Sequence, residues 1–149
     1  MITISAPIAG SVVPLSQVPD PVFAEAIVGP GAAIDPGSVT ELTAVAPVAG
    51  TVASLKPHAF VVQAGDGTGV LVHLGIDTVD LSGEGFTVLA EAGAQVDAGH
   101  PLITWDTTAA RSAGKSVVVP VVVLEADADQ LQVTDADAVA AGDDLLTES

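Results

Sequence analysis

A chain of 149 residues has the length of one domain, 1–149, and can bury a real core; without cysteine it has no disulfide, thiolate zinc site or cysteine nucleophile. Three basic residues against nineteen acidic ones give a formal net charge of −16, which repels nucleic acid and anionic lipid and favours a partner with a basic patch. No charged-then-apolar leader is present, and no apolar run nears the ~20 residues that span a bilayer, so a cytoplasmic location is the simplest expectation.

Fifteen glycines and ten prolines punctuate short runs rich in Val, Ile and Leu, a pattern of many short strands. In chain order the expected strands are Ile2–Ile4, Gly10–Val13, Ala32–Asp35, Val39–Val45, Gly50–Leu55, Ala59–Val62, Val70–Leu74, Phe86–Ala90, Leu102–Trp105, Ser116–Val123 and Leu131–Val133. Helix signals are few. Asp20 before Pro21 reads as a cap and first-turn proline for a brief Val22–Ala26 turn. Thr107 or Thr108 reads as the cap of Ala109–Ala113, stopped by Gly114. The fold class is therefore all-β, an antiparallel sandwich or flattened barrel.

Two internal echoes favour closure. Ala6-Pro7-Ile8-Ala9-Gly10-Ser11-Val12-Val13 recurs as Ala46-Pro47-Val48-Ala49-Gly50-Thr51-Val52-Ala53. Segments 93–102 and 137–145 share a spacing of Val, Gly and Leu, so both pairs should build equivalent corners of a pseudo-symmetric barrel. Eight acids between Glu125 and Glu148, with no base among them, read as a solvated face. Gly114-Lys115-Ser116 lacks the upstream glycine of a phosphate loop and is set aside, and His100, beside Pro101, reads as a surface turn residue.

The candidate site is a pair of histidines. His73 ends the apolar run Val70-Leu71-Val72, with Asp77 four residues on, and His58 heads the run Ala59-Phe60-Val61-Val62. On adjacent antiparallel strands the two rings would converge. A neutral imidazole there has one nitrogen free as nucleophile, while the other needs an acceptor to fix the tautomer. Phosphoryl capture demands mainly positioning and charge stabilisation, so a site this sparse suffices for it. The same pair suits zinc only with a further ligand, from Asp77 or a partner. Two ordinary strand histidines, each hydrogen-bonded to a neighbour, are the competing reading.

The stretch His73-Leu-Gly-Ile-Asp-Thr-Val-Asp-Leu-Ser-Gly-Glu-Gly-Phe86 resembles the signature of the glucose-type enzyme IIA (EIIA) of the bacterial phosphoenolpyruvate-dependent sugar phosphotransferase system. The resemblance runs nearly end to end, through 6–31, the corner from Ala46, Pro57–Phe60 and the segment from Gly114. It implies that His73 accepts a phosphoryl group from phospho-HPr and passes it to the IIB domain of a sugar permease, with His58 assisting. It places Asp20 and Asp77 near the face that meets arginine on HPr, and it makes Val22, Phe23, Ile27 and Val28 an exposed apolar docking rim. From the residues alone, that segment reads first as ordinary core packing. The resemblance also implies a β-sandwich, no required cofactor, and a possible regulatory role in which the unphosphorylated protein binds permeases or metabolic enzymes, with zinc shared between His58, His73 and the partner. The chain departs from the pattern at Lys56, where many members carry a threonine that hydrogen-bonds the active histidine.

Two other functions compete. A biotinyl- or lipoyl-type swinging-arm domain needs a lysine at a hairpin tip, and Lys56 lacks the flanking residues of that motif. A zinc hydrolase using His73 and Asp77 would also need a His-x-His pair, which the chain does not have. The initiating Met1 favours a free-standing protein over a domain of a longer permease.

Overall fold

In the computed structural model, which describes residues 2–149, proline and glycine cut the chain into short strands that stack as a sandwich. The strands are β1 (Ile2–Ser5), β2 (Gly10–Pro14), β3 (Gly31–Asp35), β4 (Glu41–Val45), β5 (Gly50–Lys56), β6 (Ala59–Gln63), β7 (Gly69–His73), β8 (Phe86–Val88), β9 (Gln95–Val96), β10 (Pro101–Asp106), β11 (Val119–Val123), β12 (Leu131–Val133), β13 (Ala138–Val139) and β14 (Asp144–Glu148). The helices are one turn each, α1 (Pro21–Ala24) and α2 (Thr108–Ser112).

The large sheet runs β13-β2-β3-β11-β7-β6-β5-β9, and two three-stranded sheets, β1-β14-β12 and β4-β10-β8, complete the structure. All pairings are antiparallel. The sheets do not close on themselves, so the fold is the sandwich and not the barrel.

The echoed corners pair with each other. Ser5 N–H donates to Pro47 O and Val45 N–H to Pro7 O. Ala6 and Ala46 then repeat one pattern: each amide donates to residue 143 or 100, and each carbonyl accepts from Gly142 or Gly99. Gly10 pairs with Val139 as Gly50 pairs with Val96. A Cβ at Gly10 or Gly50 would lie 2.3 Å from Asp35 O or 2.0 Å from Gln63 O, so close backbone approach demands glycine at both corners.

The main core lies between the sheets and includes Phe60, Val62, Val70, Val72, Leu74, Leu102, Ile103 and Trp105. Phe86 stacks on Trp105 with ring centroids 5.5 Å apart. A second cluster covers the outer face of the large sheet, where Leu15, Val18 and Phe23 pack on Ala33, Ile76, Val118 and Val122. The segment that supplies it, a 3-10 turn at Leu15–Gln17 followed by α1, makes β11 fully buried. Covering both faces explains an uninterrupted valine run where a half-exposed strand would alternate.

Several expected elements shift. The Val39–Val45 strand begins at Glu41, Ser116–Val123 begins at Val119, and Phe86–Ala90 ends at Val88. The expected Val22–Ala26 turn is helical over Pro21–Ala24. The second helix starts at Thr108, with Asp106 Oδ1 accepting from its amide, because the Thr107 hydroxyl donates instead to Val39 O and Thr40 O. Strands β9 (Gln-Val) and β13 (Ala-Val) are only two residues long and β14 sets Asp, Thr and Glu around two leucines, so none offers an apolar run and none is among the expected strands. The Met1 that suggested a free-standing protein lies outside the described residues.

Candidate functional site

His73 ends β7, near the centre of the large sheet. Alternation sends Val70 and Val72 into the main core and Leu71 and His73 to the opposite face, the one covered by the Leu15–Val28 segment. Its register partner on β6 is Ala59, and Leu74 N–H donates to His58 O at 2.7 Å. This clasp fixes the Pro57–His58 turn beside the end of β7. The two imidazoles consequently meet edge to face, with ring centroids 5.1 Å apart. On its other side His73 is braced by the Phe23 ring, centroid to centroid 5.3 Å.

The loop after β7 selects the tautomer. His73 Nδ1 lies 2.5 Å from Gly75 O, and a carbonyl only accepts, so Nδ1 carries the proton and Nε2 holds the lone pair. That carbonyl is rigidly placed. Ile76 N–H donates to Ser116 O, and the buried Thr78 hydroxyl donates to Leu74 O at 2.7 Å. Gly75 itself has φ of 81°, with Thr78, Ser116 and Trp105 packed around it.

Burial pushes the His73 pKa below the usual imidazole value, opposed by the Gly75 carbonyl and by the carboxylates of Asp20 and Asp77. His58 is also lowered, first by burial, then by the charge of His73 and that of Lys56. The site thus holds a neutral nucleophile near pH 7. It also has a carbonyl and two carboxylates able to stabilise positive charge once that nucleophile has reacted.

The other expected residues fall on both sides of the surface. Asp20 caps α1, its Oδ1 accepting from Val22 N–H at 2.9 Å, and Asp77 is exposed in a left-handed conformation at the mouth of the loop. Val22 and Ile27 are exposed, at 41% and 67%, and Val28 is half-buried. Phe23 departs from the expected exposed rim. At 7% exposure it belongs to the second cluster and supports His73 from beneath, because α1 needs one apolar anchor on the sheet. His100 is exposed, and Lys115 pairs with Asp80 at 3.1 Å, far from a phosphate-loop role. Gly75 and Thr78 were not singled out from sequence, although a glycine two residues after a strand-ending histidine is a usable signal for a carbonyl returning to the ring.

The structure is thus a β-sandwich in which a central strand ends in a neutral imidazole with Nε2 unprotonated, beside a second imidazole and a surface that carries Asp77, Val22 and Ile27. Comparison with known proteins narrows the class. Residues 2–129 match the family model described as phosphoenolpyruvate-dependent sugar phosphotransferase system, EIIA 1. The chain is 39% identical over 145 residues to the glucose-specific EIIA component of Staphylococcus aureus, covering 95% of this chain and 86% of that protein. It is 46% identical over 128 residues to the mannose-specific EIIBCA component of Corynebacterium glutamicum, covering 85% of this chain but 18% of that longer protein. The glucose permease IIA from Mycoplasma capricolum superposes with a TM-score of 0.88 at 32% identity, over 97% of this chain and 94% of that one. The chain belongs to the EIIA family of the sugar phosphotransferase system and is of the glucose type, as its sequence resemblance implied. It is thus a component of a phosphotransferase, and none of these relatives is a swinging-arm domain.

Proposed function

We propose that His73 Nε2 takes a phosphoryl group from phospho-HPr and passes it to the IIB domain of a sugar permease. The observation that carries this reading is the Nδ1–Gly75 hydrogen bond, which leaves Nε2 as the nitrogen able to attack. As the new N–P bond forms, the bond between phosphorus and the donor's nitrogen breaks. No proton has to leave Nδ1, and the ring gains positive charge that the Gly75 carbonyl, Asp20 and Asp77 stabilise. His58 is placed to donate to a phosphoryl oxygen. Its lowered pKa lets it do so as a neutral N–H.

Val22, Ile27 and Val28, with Asp20 and Asp77, form the docking face in this reading, and acidic groups there suit a partner carrying arginine. The EIIBCA relatives, whose names join A to B and C, support IIB as acceptor. In this reading the transfer takes place in the cytoplasm; among the described residues no helix is long and apolar enough to cross a membrane. No cofactor is needed for this transfer. His58 and His73 supply two nitrogens for zinc, and among the described residues no group of three ligating side chains forms, so a partner would have to complete the shell of a regulatory zinc site.

Incubation with phosphoenolpyruvate, enzyme I and HPr should add one phosphate, labile to acid and stable to alkali. His73→Gln should abolish labelling, and His58→Gln should label but transfer onward slowly. Full labelling of the His73 variant would overturn the assignment.

A further inference from the structure

Of the three basic side chains, two are already engaged. Arg111 donates from Nε to Thr107 Oγ1 and from Nη2 to Gly37 O and Val39 O, tying α2 to the loop before β4. Lys115 is paired with Asp80. Lys56 is exposed, and among the described residues no carboxylate lies within ion-pair distance of it.

Its place in the sheet is specific. Lys56 pairs with Ala59 across β5 and β6, and Ala59 pairs with His73 across β6 and β7. Directly paired residues project from the same face, so lysine, alanine and histidine form one row across three strands. Two strand spacings separate its ends by about 10 Å. The central residue, Ala59, puts only a methyl between the two ends, and at 9% exposure it is already covered by its neighbours. A lysine stem reaching inward from one end and a phosphorylated imidazole reaching inward from the other close that distance over Ala59. The Lys56 charge already acts on His58, the ring beside His73. The need is electrostatic: a phosphoryl group on His73 brings negative charge beside Asp20 and Asp77, in a chain of net charge −16.

We propose that Lys56 holds a phosphoryl oxygen on phosphorylated His73, beside His58, and so sets how tightly this protein keeps its phosphoryl group relative to its donor. The proposal rests on His73 being the phosphoryl acceptor. Its test uses the intact chain with phospho-HPr: the equilibrium partition of phosphate between the two proteins, and a 31P NMR titration of the phosphohistidine, for wild type, Lys56→Gln and Lys56→Arg.

Lys56→Gln should move the partition toward HPr by roughly three- to tenfold, less at high salt, and raise the pKa of the phosphoryl group, with Lys56→Arg close to wild type. A Lys56→Gln variant that partitions and titrates as wild type overturns the proposal. So does one that changes only the rate of transfer, which would put the lysine at the partner's surface instead. A wild-type protein that takes no phosphate removes the carrier reading itself, a result distinct from either.

Discussion

Gly75→Ala tests whether the His73 tautomer depends on a loop that only glycine can form. At φ of 81° an alanine is strained by ~1–2 kcal/mol. The added Cβ would also lie 2.6 Å from Thr78 Cγ2, 2.9 Å from Ser116 O and 3.2 Å from the Trp105 ring. The threonine methyl belongs to a side chain anchored on Leu74 O, and the Ser116 carbonyl is held by Ile76 N–H, so neither yields freely. Overpacking of this kind costs ~1–3 kcal/mol. The reduced freedom of the unfolded chain returns ~0.4–1 kcal/mol. The net expectation is a loss of about 2–4 kcal/mol in urea unfolding. Gly93→Ala is the control: φ is 89° and nothing lies within 4 Å of the new Cβ, so strain alone acts and the loss stays within ~1.5 kcal/mol. In 15N NMR of the imidazoles, Gly75→Ala should mix the His73 tautomers while Gly93→Ala leaves Nδ1–H dominant. Equal stability losses in the two variants, with an unchanged His73 tautomer, would refute the reasoning.

Three further outcomes follow from the same geometry. Both imidazoles have folded-state pKa values below 6.5, so the unfolded chain binds more protons on acidification; stability should be flat above that pH, fall as pH drops through it and level off below the folded-state values. Urea midpoints between pH 5 and 8 check this. The slope should shrink in His58→Gln/His73→Gln, and an unchanged slope counts against it; Asp66 and Asp106, whose pKa values are lowered from 3.8, act only in a more acidic range. Thr78→Val strands the buried Leu74 carbonyl and should cost about 1–2 kcal/mol in the same assay, with Thr78→Ser recovering part of the loss. Asp20→Ala removes a cap worth ~1 kcal/mol and a carboxylate that raises His73, so the His73 pKa followed by NMR should fall further; a rise would show that Asp20 does not act on the ring.

Much of the protein is local information. The Pro and Gly punctuation and the valine runs marked the strands that bury an apolar face. The Asp20-Pro21 pair marked a helix start that the structure shows, because a cap and a fixed φ act within three residues. The stretch His73–Phe86 carried the family, since its loop needs those residue types at those spacings. Strands β9, β13 and β14 escaped notice because they are short or mixed in composition and are ordered by pairing across the molecule, a constraint no local window contains. Thr107 gave up its capping role for the same reason, its hydroxyl being claimed by carbonyls more than sixty residues away.

The site divides in the same manner. Sequence alone determined that the chain is an all-β protein with two histidines at strand ends, and that one stands in a family signature. The resemblance already cast His73 as acceptor and His58 as assistant, and the tertiary structure supplied a physical basis for the difference. It directed the Gly75 carbonyl at Nδ1 of His73, set Phe23 under that ring as support and not as rim, and aligned Lys56, Ala59 and His73 in one row. The physical reason is that tautomer, burial and electrostatic neighbourhood are properties of groups brought together by sheet register, which depends on the whole chain at once.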